Sequence, residues 1–148
     1  MNEQTMLDRA NELFTKYEQA FNGALNGEID MHHFASFYTD SFIAANPNGV
    51  MTGDNDESLQ KNMKQGYEYY RSIGTKAMQC LHVKLNIIDA HHGVAHTEWQ
   101  ASYVVNEKTI HVPFVPTICC NFKKENRKFS VGLPGMNRSC CTSTVLFE

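Results

Sequence analysis

Four side chains that can move protons fall on segments of alternating polarity: His82, His96, Glu98 and His111. Imidazole changes charge near neutral pH, and a carboxylate beside it can orient it or share a metal ion. His82 and His96 lie on the two strand segments that flank the turn from Ala90 to Gly93, which makes them candidate cross-strand neighbours beside Glu98. Such a set suits acid–base chemistry or a metal site. The stronger reading is plainer: these residues share the polar faces of their strands, wetted by solvent or covered by a second subunit. No metal ligand and no cofactor are assigned. The doublets His32-His33 and His91-His92 make poor bidentate sites, because adjacent side chains point to different sides.

Trp99 is the only tryptophan, and it lies mid-strand among Ala95, Ala101 and Tyr103. Small residues beside one large aromatic either leave a hollow that a ligand can fill or are packed solid by it. Phe14 and Phe37, on helical segments, are the aromatics that would meet Trp99 across such a hollow. Asp40 and Asp54 are placed to reach its mouth, and both also suit ordinary turn and cap chemistry. No phosphate-cradling glycine loop, nucleophile elbow or H-E-x-x-H motif occurs.

The elements that must position these residues follow from periodicity. Met6, Leu7, Ala10, Leu13, Phe14, Tyr17, Ala20, Phe21 and Leu25 recur at steps of three and four, the mark of a long amphipathic helix ending near Asn26-Gly27. Thr5 and Asp8 form a candidate N-terminal capping pair. Asp30 caps a short helix from Met31 to Tyr38, followed by strands at Ser41 to Asn46 and Val50-Met51 across a Pro47-Asn48-Gly49 turn. Asp54 or Asp56 opens a third helix bearing Leu59, Met63, Tyr67, Tyr70 and Ile73, stopped by Gly74. The period then changes to two. Ala77, Leu81, Val83, Leu85 and Ile87 define the apolar face of one long strand. Ala95, Thr97, Trp99, Ala101 and Tyr103 share one face of the next, Val94 to Val105, with His96, Glu98, Gln100 and Ser102 on the other. Asn106-Glu107-Lys108 turns the chain into a further strand at Ile110, Val112 and Phe114, where Pro113 is tolerable only at an edge or bulge. Helices segregate from strands, which predicts an α+β domain.

Composition sets outer bounds. The 148 residues suit one domain with a real core. A net charge of −3 offers no basic patch for nucleic acid. No apolar run approaches the roughly 20 residues that span a bilayer. No secretory h-region follows the polar start Met1-Asn2-Glu3-Gln4. Cys80, Cys119, Cys120, Cys140 and Cys141 are odd in number and lack C-x-x-C spacing, so reduced thiols in a cytoplasmic protein are expected.

The order of elements, with Phe37-Tyr38-Thr39-Asp40-Ser41-Phe42 leading to Asn46-Pro47-Asn48-Gly49, resembles the nuclear-transport-factor-2-like superfamily from about Met6 to Phe114. That superfamily includes the SnoaL-like polyketide cyclases and the ketosteroid isomerases. The resemblance implies a cone-shaped, strongly bent antiparallel sheet wrapped by N-terminal helices, an apolar cavity lined by Phe14, Phe37, Asn46, Trp99 and Tyr103, and a homodimer through the open sheet face. It implies a small apolar ligand or, alternatively, a cofactor-independent isomerase, cyclase or dehydratase using Tyr17, Asp40, His82, His96 or Glu98. A dimeric interaction module without chemistry is the third reading. Several ketosteroid isomerases carry a general-base Asp before the proline that follows the first strand, and a first-helix tyrosine as oxyanion donor. Tyr17 matches the donor. Asn46 stands where the base would be, and an amide accepts no proton at neutral pH, which counts against isomerase activity.

A single domain is expected over residues 1–148, with 115–148 reading as an atypical or out-of-frame tail. From Val115 onward the strand pattern degrades through Pro116, two cysteine doublets and Leu133-Pro134-Gly135. In the frame that starts at each codon's third base, codons for Gly135 to Glu148 can spell Asp-Glu-Gln-Lys-Leu-Leu-Tyr-Lys-His-Gly-Ile-Ile-stop, and those for Lys128 to Gly132 can spell Lys-Ile-Phe-Gly-Trp. Both have the character of a last strand followed by a short helix. Resequencing the gene with an intact-mass measurement is expected to reveal a frameshift near Val115; a clean single frame through Glu148 would contradict it.

Overall fold

The computed structural model describes residues 2–27, 29–46 and 49–122, together with the backbone of 128–129; the side chain of Asn46 falls outside that set. Three helices precede a sheet. Helix α1 (Glu3–Leu25) starts one turn earlier than the hydrophobic period suggests, because Asn2 is its cap. The Asn2 carboxamide oxygen accepts from both the Thr5 N–H and the Thr5 hydroxyl, at 2.7 Å each, so Thr5 is capped rather than capping. Helix α2 (Met31–Ala35) is opened by Asp30 as expected, and helix α3 (Glu57–Ser72) by Asp56 rather than Asp54. Between them, strands β1 (Ser41–Asn46) and β2 (Gly49–Asp54) form a two-stranded antiparallel hairpin. Pro47 and Asn48 lie outside the described residues.

Strands β3 (Thr75–Ile87) and β4 (His92–Val105) pair antiparallel along nearly their whole length. On the far side of β4 run β5 (Lys108–Phe114) and then β6 (Thr117–Asn121). The last two act as one strand: Trp99 faces Phe114 and His96 faces Thr117 in a continuous register. The ladder is interrupted between them at Pro116, which has no N–H to give; its carbonyl instead accepts from the Thr97 N–H at 3.1 Å. Pro113 is tolerated because β5 pairs only with β4 among the described residues. A short β7 (Lys128–Phe129) pairs with β6. Of the suspect stretch 115–148, therefore, residues 115–122 are described, with β6 joining the sheet through Ile118, Cys119 and Cys120, all buried; past Phe122 only the backbone of β7 is described.

The β3 reading needs a correction. The register shifts between Thr75 and Ala77 and again between Cys80 and His82, and each shift marks a bulge. An extra residue reverses the in–out alternation and bends the strand. Met78 and Cys80 therefore point toward α1, Leu81 is left 52% exposed, and only after the bulge do Val83 and Leu85 return to the inner face. β4 carries the expected alternation without interruption, with Ala95, Thr97, Trp99 and Ala101 buried.

Helix α1 is fastened to the free edge of β3 by hydrogen bonds as well as by apolar packing. The Asn22 carboxamide takes both backbone groups of Met78, accepting from its N–H at 2.8 Å and donating to its carbonyl at 3.0 Å. One turn earlier, Glu18 accepts from the Cys80 N–H at 2.9 Å. An edge strand leaves alternate N–H and C=O groups without a ladder partner. Here two polar side chains at i and i+4 of the helix satisfy them and fix its height over the sheet. Its buried stripe of Ala10, Leu13, Phe14, Tyr17, Phe21 and Ala24 then covers Met78, Ala95, Trp99 and Ile118.

The turn from α3 into β3 tests this geometry. Gly74 adopts φ +88°, its carbonyl accepts from the Val104 N–H at 2.9 Å, and an added Cβ would collide with the Val104 carbonyl oxygen. Gly66, inside α3, has open space where a Cβ would go. Gly74→Ala is expected to lower unfolding free energy by roughly 1–3 kcal/mol. Gly66→Ala is expected to raise it by ~0.5–1 kcal/mol, both read from urea melts.

Candidate functional site

The interior of the cone is built around one phenol. Tyr17 lies on the buried stripe of α1 and is 2% exposed. Its ring meets Phe37 at 5.4 Å, Phe34 at 6.1 Å and Trp99 at 6.2 Å between centroids, each edge to face, the arrangement favoured by opposed ring quadrupoles. Its hydroxyl lies 3.3 Å from that of Tyr38, and the phenol of Tyr67 is near enough to both to bear on their ionisation. Three elements thus deliver three phenols to one point: α1, the turn after α2, and α3.

Tyr38 is held there by Asn55. The Asn55 amide donates to the carbonyls of Ala35 at 2.7 Å and Tyr38 at 3.2 Å, while its backbone N–H donates to the Asp40 carbonyl. Residue 55 follows β2, so the hairpin pins the end of α2. Tyr67 is set by ring contacts with Phe21 at 5.1 Å and Phe34 at 4.7 Å. Trp99, fully buried, donates its indole N–H to the Thr97 hydroxyl at 3.0 Å, and that hydroxyl donates to the Pro116 carbonyl at 2.9 Å. A threonine at that inward position is therefore the polar handle that lets a tryptophan be buried without an unpaired N–H.

Electrostatics decide what these groups can do. Burial pushes the Tyr17 phenol well above its ordinary value of 10.0, and the neighbouring Tyr38 and Tyr67 push it further. Burial raises Tyr67 too, with Tyr38 adding to it. Both remain neutral across the physiological range. They donate and accept hydrogen bonds but do not act as bases. The buried polar side chains besides the tyrosines are Thr75 and Thr97, so no carboxylate or imidazole among the described residues is buried beside the phenols. The hydroxyl of Thr75 and the side-chain oxygen of Asn55 are buried with no hydrogen-bond partner among the described residues. Thr75 pairs with Tyr103 and so shares its inner face of the sheet.

The sequence candidates divide sharply. Tyr17, Phe14, Phe37 and Trp99 come together in the interior, and Tyr103 lies half-buried on the same face. His82, His96 and Glu98 lie exposed on the opposite face of the sheet, where His82 is directly across from Glu98 and His96 across from Lys84. The two histidines are thus diagonal rather than facing neighbours, the two register shifts in β3 having moved the pairing. His96 contacts the Asn86 amide at 3.2 Å and the Thr117 hydroxyl at 3.3 Å; His111 contacts the Ser102 hydroxyl at 2.9 Å. Asp40 is exposed ahead of β1. Among the described residues no group of three His, Cys, Asp or Glu side chains is arranged to hold a metal. The structure adds Tyr38, Tyr67, Asn55 and Thr97, which spacing alone marked only as helix-face, turn or strand residues.

The described thiols, Cys80, Cys119 and Cys120, are kept protonated by the same logic. Burial pushes Cys80 and Cys119 up to about 11, the carboxylate of Glu18 contributing to the first, and Cys120 higher still.

A bent antiparallel sheet roofed by a long helix, enclosing an aromatic interior, is the nuclear-transport-factor-2-like, or cystatin-like, architecture. The chain belongs to the family described as NTF2-like protein (DUF6841), whose model matches residues 5–111. A search of curated proteins returns no match. Among solved structures, an uncharacterised protein with a cystatin-like fold from Caulobacter vibrioides is similar at TM-score 0.63 and 12% identity, over 95% of this chain and 89% of that one. A putative calcium/calmodulin-dependent protein kinase II association domain from Xanthomonas campestris gives 0.60 and 12%, over 93% and 86%. A putative scytalone dehydratase from Novosphingobium aromaticivorans gives 0.60 and 8%, over 99% and 89%. At such identities the likeness is one of fold.

The phenol cluster has a pH signature. Groups whose folded pKa is raised leave stability intact below the unfolded value and cost it as pH climbs above that value. Unfolding free energy should therefore fall as pH rises past about 10, where unfolded phenols ionise first. A Tyr17→Phe/Tyr67→Phe variant should lose a smaller share of its stability between pH 8 and 11, measured by urea titration.

Proposed function

We propose that this chain is a non-catalytic NTF2-like binding domain whose cone takes a small, largely apolar molecule carrying a hydrogen-bonding oxygen. The observation that carries this reading is the meeting of Tyr17, Tyr38 and Tyr67 hydroxyls inside an aromatic shell. Ligand sites are mostly apolar with a few convergent polar groups that set orientation, and neutral phenols suit a carbonyl or hydroxyl oxygen. The unpartnered Thr75 hydroxyl and Asn55 oxygen are further groups that a ligand or an ordered water would satisfy.

Isomerase, cyclase or dehydratase chemistry is less well supported. It needs a base near the phenols. Asn46 occupies the position the resemblance assigns to one, and His82, His96, Glu98 and Asp40 are exposed elsewhere. A neighbour described as a dehydratase shares only the fold.

A second reading, self-assembly through the open sheet face, is favoured by a separate observation. Phe14, Phe37 and Trp99 are buried, and the ring of Tyr17 contacts both Phe37 and Trp99, which fills the space between helix and sheet. Leu81, Val104 and Val115 are meanwhile exposed. The two readings divide on the interior: rings that fill it favour self-assembly, whereas a ligand needs them to part. Reduced, protonated thiols suit a cytoplasmic setting, and no described helix is long and apolar enough to cross a membrane.

The ligand reading is tested by mass spectrometry of small molecules that co-purify, followed by titration of the recovered compound against the fluorescence of Trp99. Saturable quenching is expected, with Tyr17→Phe weakening binding by roughly 5–10-fold, the worth of about one hydrogen bond. Absence of a co-purifying compound from the native protein would contradict the reading, as would affinity indifferent to Tyr17→Phe.

A further inference from the structure

The outer face of the sheet carries its charge in a pattern that a second copy of the same chain can match. On that face, His82 of β3 lies across from Glu98 of β4, and in the next outward row Lys84 lies across from His96. The four side chains form a rectangle with Glu98 and Lys84 at opposite corners and the two imidazoles at the others. All four are exposed, and His111 of β5 is a further titratable group on the face among the described residues. Directly opposed positions lie about 5 Å apart and diagonal ones about 7–8 Å, so the pattern is compact enough to act as a unit.

We propose that two copies meet on this face about a two-fold axis running along the His82–His96 diagonal, and that histidine protonation drives them apart. This rests on the reading that the open face pairs with a second copy. A two-fold axis between stacked sheets lies in the plane of contact and makes the interface self-complementary. Laid along the His82–His96 diagonal, it carries each Glu98 onto the partner copy's lysine at position 84 and brings each imidazole onto its own symmetry mate. It also makes the strands of the two copies cross at roughly 70°, near the orthogonal one of the two ways in which sheets stack.

Charge selects this axis. An axis perpendicular to the strands would set Lys84 against an imidazole and Glu98 against the other one, leaving both full charges without an opposite. The diagonal instead makes two ammonium–carboxylate pairs and leaves neutral imidazoles in the middle, where Leu81 is the adjacent exposed apolar group. Imidazoles take up protons as pH falls below about 6.5. Once charged, His82 and His96 each face a like charge across the axis. Lys84 and His111 add positive charge, and Glu98 alone opposes it.

Light scattering after size exclusion, with sedimentation velocity for the dissociation constant, tests the arrangement on the full chain. A dimer is expected at pH 8, with its dissociation constant rising at least tenfold at pH 5.5. Lys84→Glu alone and Glu98→Lys alone should each give monomers at pH 8. The combined swap should restore the dimer, which shows that the single variants are folded in that respect. His82→Gln with His96→Gln should keep the dimer and remove most of its pH dependence. A native protein monomeric at pH 8 overturns the pairing reading and this inference together. A dimer indifferent to the single swaps, not recovered by the double swap, or tightened by acid overturns the diagonal arrangement alone.

Discussion

The structure depends on how α1 is tied to the bare edge of β3. An edge strand exposes backbone groups that water or another strand would otherwise take. Asn22 satisfies both groups of Met78, and Glu18 satisfies the N–H of Cys80. These bonds set the axial and rotational position of the helix, and so decide that Phe14, Tyr17 and Phe21 face the sheet. Each neutral hydrogen bond contributes only about 1 kcal/mol net, whereas removing a buried aromatic of Trp99's kind costs about 3–5 kcal/mol. Packing therefore supplies most of the stabilisation, and the edge bonds supply the register in which the packing becomes possible.

From that register follows the chemistry of the interior. Three phenols from three elements meet in a shell of rings, and burial keeps them uncharged. A buried tyrosine that cannot ionise is a donor of fixed direction; without a carboxylate or imidazole beside it, it can hydrogen-bond a neutral oxygen but abstracts no proton. The exposed faces of the same strands hold His82, His96, Glu98 and His111 instead. One sheet thus separates an uncharged, hydrogen-bonding interior from a charged outer face.

Most of the architecture was legible from period and punctuation. The shift from steps of three and four to steps of two after Gly74 located the helix-to-sheet boundary, and Asn26-Gly27, Asp30 and Asp56 marked ends and starts correctly. Two features were not legible. The bulge at Cys80 and His82 leaves no trace in an alternating string, because Met78, Cys80 and Leu81 are all apolar and any of them can face inward. The two register shifts in β3, at Thr75/Ala77 and Cys80/His82, together move the partner of His82 from His96 to Glu98 and set Lys84 opposite His96. The cap was missed because Asn2 lies outside the apolar period, while Thr5 and Asp8 look like a capping pair from spacing alone. Within the site, Tyr17 and Trp99 were identifiable by type and face. Tyr38 and Tyr67 were not distinguishable from ordinary helix-face aromatics, and Asn55 acts only through two carbonyls brought near it by the fold.

The central claim is that α1, β3 and β4 form one cooperative unit, locked by edge hydrogen bonds and the aromatic interior. Native-state amide hydrogen exchange tests it most directly, since it reports the free energy of opening for each segment. The account predicts that the amides of α1 between Ala10 and Ala24 exchange as slowly as those of β4 around Trp99, and that Asn22→Ala speeds both together. Exchange of α1 through a separate, lower-energy opening, with β3 and β4 unaffected by Asn22→Ala, would contradict it.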